Sequence, residues 1–183
     1  MKIDLQGKKL DDGAVDVNRA GFVIHSAIHR ARPEAGCVIH THTKAGVAGS
    51  AQQCGLRPIS QQASLVMGSL AYHDYKGLAV HDDEKARLQA DLGQTKHMIL
   101  RNHGLLTVGV SVADAFKAMY TLESACQIQV TTQCGGPLID IRPEFLAGVA
   151  AAVNIIQCCT SLADRAWPSL LRRLDRLSPG YDC

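Results

Sequence analysis

The run Cys37-Val38-Ile39-His40-Thr41-His42 puts two histidines one residue apart in an apolar segment, the spacing a metal-chelating strand needs. Alternate side chains of a strand emerge on one face, so His40 and His42 point the same way. Two convergent imidazoles supply half of a tetrahedral divalent-metal site, and a third ligand on a separate element leaves one position open for chemistry. His103 is the candidate third ligand. It follows the apolar run Met98-Ile99-Leu100 within Arg101-Asn102-His103-Gly104, where the glycine is expected to let the backbone turn sharply at a strand end. The same residues fit a second reading, in which each histidine is a hydrogen-bonded core side chain. Spacing alone leaves both open and names no reaction. His25 and His29 recur at i, i+4 on a helical segment, but Ser26 stands where a metalloprotease motif has its glutamate, so packing and solvent roles are expected for them.

These residues need elements to hold them. A short strand is expected near Lys2 to Leu5, then a polar turn through Asp11-Asp12-Gly13, and Asn18 caps a helix from about Arg19 to Ala31 that Arg32-Pro33 ends. After the histidine strand comes an alanine- and glycine-containing helix from about Lys44 to Gln53, stopped by Gly55. Strands are expected at Leu70 to Tyr75 and Leu78 to Val80, and alternation in the first puts Tyr72 and Asp74 on one face and His73 and Tyr75 on the other. Asp82 or Asp83 starts a charged helix to about Leu92, followed by strands at Met98 to Leu100 and Leu105 to Val108. Ser111, with Asp114 three residues on, opens the longest helix, whose Val112, Ala115, Phe116, Met119, Leu122 and Cys126 recur at three and four. Gly135-Gly136-Pro137 closes it. Two further helices are expected, from about Glu144 to Cys158 and from near Asp164 with Pro168 in the first turn. Strands alternating with helical patterns are an α/β signature.

With 183 residues, 46% of them hydrophobic, the chain suits one domain with a sizeable core. Its charge is nearly balanced at +2, and the one basic cluster, Arg172, Arg173 and Arg176, alternates with leucines at helical spacing, which argues for a solvated helix face and against nucleic acid. Seven cysteines without a Cys-x-x-Cys pair read as reduced cytoplasmic thiols. The polar start Met1-Lys2-Ile3-Asp4 is unlike a signal peptide, and the small-apolar stretch from Ala147 to Ile156 is shorter than the roughly 20 residues a membrane span requires.

Four segments carry a resemblance: Ala20-Gly21-Phe22-Val23-Ile24-His25-Ser26-Ala27-Ile28-His29, His40-Thr41-His42-Thr43, Ala71-Tyr72-His73-Asp74-Tyr75-Lys76-Gly77, and Leu100-Arg101-Asn102-His103-Gly104-Leu105. Together they resemble the class II aldolase/adducin family, and the similarity runs over nearly the whole chain, including Ala166-Trp167-Pro168 as in bacterial members. The resemblance implies an α/β fold, a three-layer α/β/α sandwich with a mainly antiparallel central sheet. It implies one domain over residues 1–183, lacking the family's N-terminal helical segment and phosphate-binding loop, and assembled as a homotetramer with metal sites near subunit interfaces. His40, His42 and His103 would hold a divalent ion, most simply zinc.

In the family's sugar-phosphate aldolases the metal binds oxygens of a ketose phosphate and stabilises the enediolate left when a carbon–carbon bond breaks, while a carboxylate moves protons. The resemblance places Gly21 where those enzymes have that glutamate, Arg19 and Ala20 where they have phosphate-holding serines, and Gln61 where a tyrosine donates a proton. Asn18 and Gln61 are candidate substrate contacts, and Tyr72, His73 and Tyr181 are candidate proton relays, Tyr181 by reaching a neighbouring subunit. With the metal kept and the carboxylate lost, the expected reaction is one that forms an enolate without first removing a proton, as decarboxylation of a keto acid does. Aldol cleavage of an unphosphorylated hydroxy-keto acid is the second expectation, with its proton relayed by a water, a substrate group or one of Tyr72, His73 and Tyr181. The alternative is a non-catalytic oligomeric scaffold like the adducin head, though without adducin's neck and lysine-rich tail, or an inactive metal-binding homologue. Either way the expected partners are a small molecule or further copies of the chain, with no nucleic acid and no membrane.

Overall fold

A computed structural model describes residues 1–77, 82–159 and 162–182. Its first helix, α1 (Arg19–Ala31), begins where expected: the Asn18 side chain accepts the Gly21 N–H, satisfying a donor left free by the first turn. Phe22, Val23, Ile24, Ala27 and Ile28 form its buried stripe. Upstream, the segment Lys2 to Leu5 is not a strand. Ile3 makes only an isolated bridge to Lys9, because the Asp4 carboxylate accepts the N–H groups of Gln6 and Lys8 and turns the chain back on itself.

Strand β1 (Cys37–Thr41) is followed by α2 (Lys44–Ser50), α3 (Gln61–Met67) and β2 (Leu70–His73), then α4 (Asp83–Leu92), β3 (His97–Leu100), β4 (Gly104–Gly109) and the long α5 (Val112–Thr132). A 3₁₀ turn, α6 (Pro143–Cys159) and α7 (Leu162–Leu177) complete the chain. The sheet order is β1-β4-β3-β2; β1–β4 and β3–β4 pair antiparallel, while β2–β3 is parallel with α4 as the crossover, so the sheet is mixed but mainly antiparallel. Val38, Ala71, Met98, Leu100, Leu106 and Val108 turn one face of the sheet to α1 and α4; Ile99, Leu105, Leu70 and Tyr72 turn the other to α3 and α5. That is the three-layer sandwich. Fully buried Ile28, Leu88, Leu92, Met98 and Leu106 each stabilise it by about 1.5–3 kcal/mol of apolar burial.

Several boundaries differ from the periodicity, for local reasons. α2 stops at Ser50, short of Gln53, because the Ser50 carbonyl takes the Asn102 N–H from across the fold. β2 stops at His73: its carbonyl accepts the Arg101 N–H just as β3 ends, leaving Asp74 and Tyr75 without a pairing strand. Helix α3 carries no clear apolar period, yet the Ser60 hydroxyl caps it by accepting the Ala63 N–H. α7 starts at Leu162, so Pro168 lies inside the helix and not in its first turn, and Trp167 packs edge-on to Phe116 of α5. The strand expected at Leu78 to Val80 lies outside the described residues. Among the described residues, no helix is long and apolar enough to cross a membrane.

His97, buried on β3 against Ser69, has its pKa pushed down to about 4 by burial and then by the Lys96 charge. A base with a depressed folded-state pKa leaves stability intact above its unfolded pKa of about 6.5 and loses it as pH falls toward about 4. Urea unfolding at pH 7 and pH 4 should therefore differ by about 3 kcal/mol more in the wild type than in His97→Gln. Parallel pH dependences in the two proteins would refute this.

Candidate metal centre

His40 and the paired Leu106 lie at the end of the β1–β4 ladder, and Thr41 opposite Leu105 closes it. His42 follows one residue past the strand, just before Thr43 caps α2 by accepting the Gly46 N–H. His103 comes from the tight connection between β3 and β4, where its N–H returns to the Leu100 carbonyl. That turn does not rely on glycine's conformational freedom. The left-handed residue is Asn102, at φ 57°, a position asparagine tolerates. Gly104 is required for a different reason: a Cβ there would lie 2.3 Å from the Thr41 carbonyl oxygen and 3.1 Å from the His42 ring. The missing side chain lets β4 start against the end of β1, and this brings His103 onto the pair.

The three rings form a near-equilateral triangle, with centroids 4.6 Å apart for His40–His42, 4.8 Å for His40–His103 and 4.6 Å for His42–His103. One nitrogen from each lies within 4.8 Å of the others. His40 Nδ1–H donates to the Leu105 carbonyl at 2.9 Å, which fixes the tautomer and leaves the Nε2 lone pair directed at the centre. His40 Nε2 and His42 Nε2 are 2.7 Å apart, so an opening of about 0.6 Å would give the spacing of two nitrogens on a tetrahedral zinc. Burial pushes the His40 pKa down to about 4, with the other histidines adding to the shift, and burial followed by His42 lowers that of His103. A ligand imidazole must be neutral, and two of these are held so. The donor set therefore fits a divalent ion with an open coordination position.

The remaining candidates are spread out. Asn18 is the α1 cap, and with Gly21, Phe22, His25 and His29 it lines a cavity of about 520 Å3. A Cβ at Gly21 would meet nothing closer than 3.9 Å, so the position is open. Gln61 is exposed at the start of α3. Tyr72 faces the α3–α5 side of the sheet, away from His40: its hydroxyl accepts the Leu56 N–H at 2.9 Å, and the Arg101 guanidinium lies 4.6 Å above its ring. Tyr181 follows α7, and its N–H donates to the Ser178 carbonyl. His73 does approach the centre. It and His103 line one narrow cleft, and His73 is held there by Glu84 and Asp91. Those two carboxylates escaped the sequence reading. Their signal was seven-residue spacing on α4, the same helix face that buries Leu88 and Leu92.

Residues 1–130 match the family model described as the class II aldolase and adducin N-terminal domain. The chain belongs to that family. Among its relatives, an aldolase class 2 family protein of Pseudomonas aeruginosa is 50% identical over 184 residues, covering 99% of this chain and 71% of the relative. Rat α-adducin is 51% identical over 142 residues, covering 75% of this chain but 19% of its own length. Among solved structures, an aldolase II superfamily protein from Pseudomonas syringae superposes with a TM-score of 0.86 at 44% identity, covering 95% of this chain and 70% of that one. L-fuculose 1-phosphate aldolase from Glaciozyma antarctica superposes at 0.71 with 32% identity, covering 82% and 58%.

Proposed function

We propose that this protein is a zinc-dependent carbon–carbon lyase of the class II aldolase type, acting on a small hydroxy-keto or keto acid by aldol cleavage or decarboxylation. The observation that carries the reading is the convergence of His40, His42 and His103 on one centre. When bound, a divalent ion supplies Lewis acidity, polarising a carbonyl and stabilising the negative charge of an enolate by several kcal/mol. The histidines orient that ion, and the Leu105 carbonyl holds the His40 ring in the productive tautomer. No carboxylate stands at Gly21 to abstract a proton, which favours bonds that break without prior deprotonation. A homotetramer in the cytoplasm is the proposed working form, in keeping with the family and with the free thiols Cys37, Cys54, Cys126 and Cys134.

Metal content of the purified protein, combined with turnover of oxaloacetate and of 4-hydroxy-2-keto acids, tests the proposal. Stoichiometric zinc with turnover supports it; stoichiometric zinc with no turnover of either class sinks it. The α-adducin match favours a second reading, an oligomeric scaffold without catalysis. That reading gains if the protein assembles identically with and without zinc and turns over neither class.

Gly21→Glu separates the roles at this position. Gly21 is the third residue of α1, and its N–H is already bonded to Asn18, so a glutamate there completes a reciprocal cap and replaces a poor helix former. The expected result is about 1 kcal/mol of added stability together with faster cleavage of hydroxy-keto substrates relative to decarboxylation. An unchanged ratio of the two activities would show that Gly21 does not set the reaction.

A further inference from the structure

His73 is 3% exposed, yet both its ring nitrogens face carboxylates: Nδ1 lies 2.7 Å from Asp91 Oδ2 and Nε2 lies 2.6 Å from Glu84 Oε1. A neutral imidazole has one N–H and can satisfy only one of these contacts. The three groups must therefore share two protons, either as an imidazolium between two carboxylates or as a neutral ring beside one carboxylic acid. Such an assembly stores a movable proton. Its surroundings hold it in place: Arg87 donates to the second Glu84 oxygen and to the Asp74 carbonyl, while Arg101 pairs with the Asp74 carboxylate.

The store is not sealed off. A cleft of about 10 Å3, room for one water, lies between it and His103 of the triad, with Glu84, His73, Tyr75 and His103 in its walls. Tyr75 stands edge-on to His103 with ring centroids 6.5 Å apart. Asp91 is on the far side of the His73 ring, so Glu84 is the carboxylate of the trio that meets the cleft together with His73 and His103.

We propose that Glu84, backed by His73 and Asp91, is the group that takes up and returns the proton in the enolate chemistry, the task left open at Gly21; this rests on the lyase reading above. In the uptake step the C–H bond beside the keto group breaks, its electron pair enters the enolate, and the proton passes through the cleft water to the Glu84 carboxylate. In the return step the proton goes back to carbon and the carboxylate is restored. After decarboxylation the same return quenches the enolate and solvent replaces the proton; in aldol cleavage Glu84 takes the hydroxyl proton as the C–C bond breaks and returns it to the enolate carbon. No oxidant or reductant is involved.

Pyruvate, whose methyl protons can exchange without cleavage, is the probe. In D2O the zinc-loaded protein should exchange them, and Glu84→Gln should slow the exchange by about 10²–10⁴-fold with zinc content unchanged. In the zinc-free protein, nitrogen-edited NMR should show two downfield ring N–H signals from His73, with one lost or shifted in Glu84→Gln. Equal exchange in the two zinc-loaded proteins overturns the assignment of Glu84 and leaves the lyase reading standing. Absence of exchange in the wild type overturns the assignment of Glu84, and turnover of oxaloacetate or 4-hydroxy-2-keto acids by the same preparation decides the lyase reading separately. Should Glu84→Gln not fold, Glu84→Asp keeps the charge but withdraws it by one methylene, and exchange slowed by less than about 10²-fold would count against the proposal.

Discussion

His40→Ala is expected to leave the purified protein without stoichiometric zinc and without measurable turnover, while its secondary structure persists. His40 is the best-prepared of the three candidate ligands. Its Nδ1–H is committed to the Leu105 carbonyl at 2.9 Å, its Nε2 faces His42 Nε2 at 2.7 Å, and burial keeps it neutral. Alanine removes one of three protein ligands and frees a carbonyl at the edge of the β1–β4 ladder. Losing even an outer-shell partner costs a metal site about 10–100-fold in affinity, so losing this ligand should cost more. Zinc measured by atomic emission, with His25→Ala as the comparison, gives the readout. His25 lies outside the triad, and its substitution should leave zinc in place. Equal zinc in His40→Ala and wild type would show that the ion is not held by the triad and would overturn the assignment of the centre.

Gly104→Ala should damage both the fold and the centre, although alanine is the smallest possible change. The added Cβ would sit 2.3 Å from the Thr41 carbonyl oxygen, so β1 and β4 must separate where they deliver His40, His42 and His103. Overpacking of this kind costs about 1–3 kcal/mol, and a backbone contact stands at the upper end because no rotamer can relieve it. A shift of about 1 Å between strands would also weaken zinc binding by more than about tenfold. Gly135→Ala, where a Cβ meets nothing within 4 Å, is the control and should stay within about 0.5 kcal/mol of wild type. If the two variants melt alike and bind zinc alike, the close approach at Gly104 is not what assembles the site.

The neighbourhood of His103 shows where reading the chain stopped. The motif marked a sharp connection, and the connection is there, but the chain achieves it with Asn102 in the left-handed region while Gly104 serves a contact with a strand some sixty residues earlier. Helix α3 was missed because its polar cap and short apolar face give no period to detect. The segment at Lys2 had the apolar residues of a strand, and the Asp4 side chain diverted its backbone hydrogen bonds into a turn. Each case is a competition between a local preference and a partner that is distant or concealed in a side chain.

The sequence by itself determined the alternation of strands and helices, the apolar faces that make a layered sheet, the cap at Asn18, and a His-x-His pair directed to one side of β1. These are short-range properties, set by side-chain period and by hydrogen bonds within a few residues. Only the tertiary structure decided that His103 joins the pair, that Tyr72 faces away, and that Glu84 and Asp91 enclose His73 beside the same cleft. Those outcomes depend on which strands are neighbours and in what register. One residue of slip in the β1–β4 ladder would turn His40 to the opposite face and dissolve the triangle, and no residue type in the chain records that register by itself.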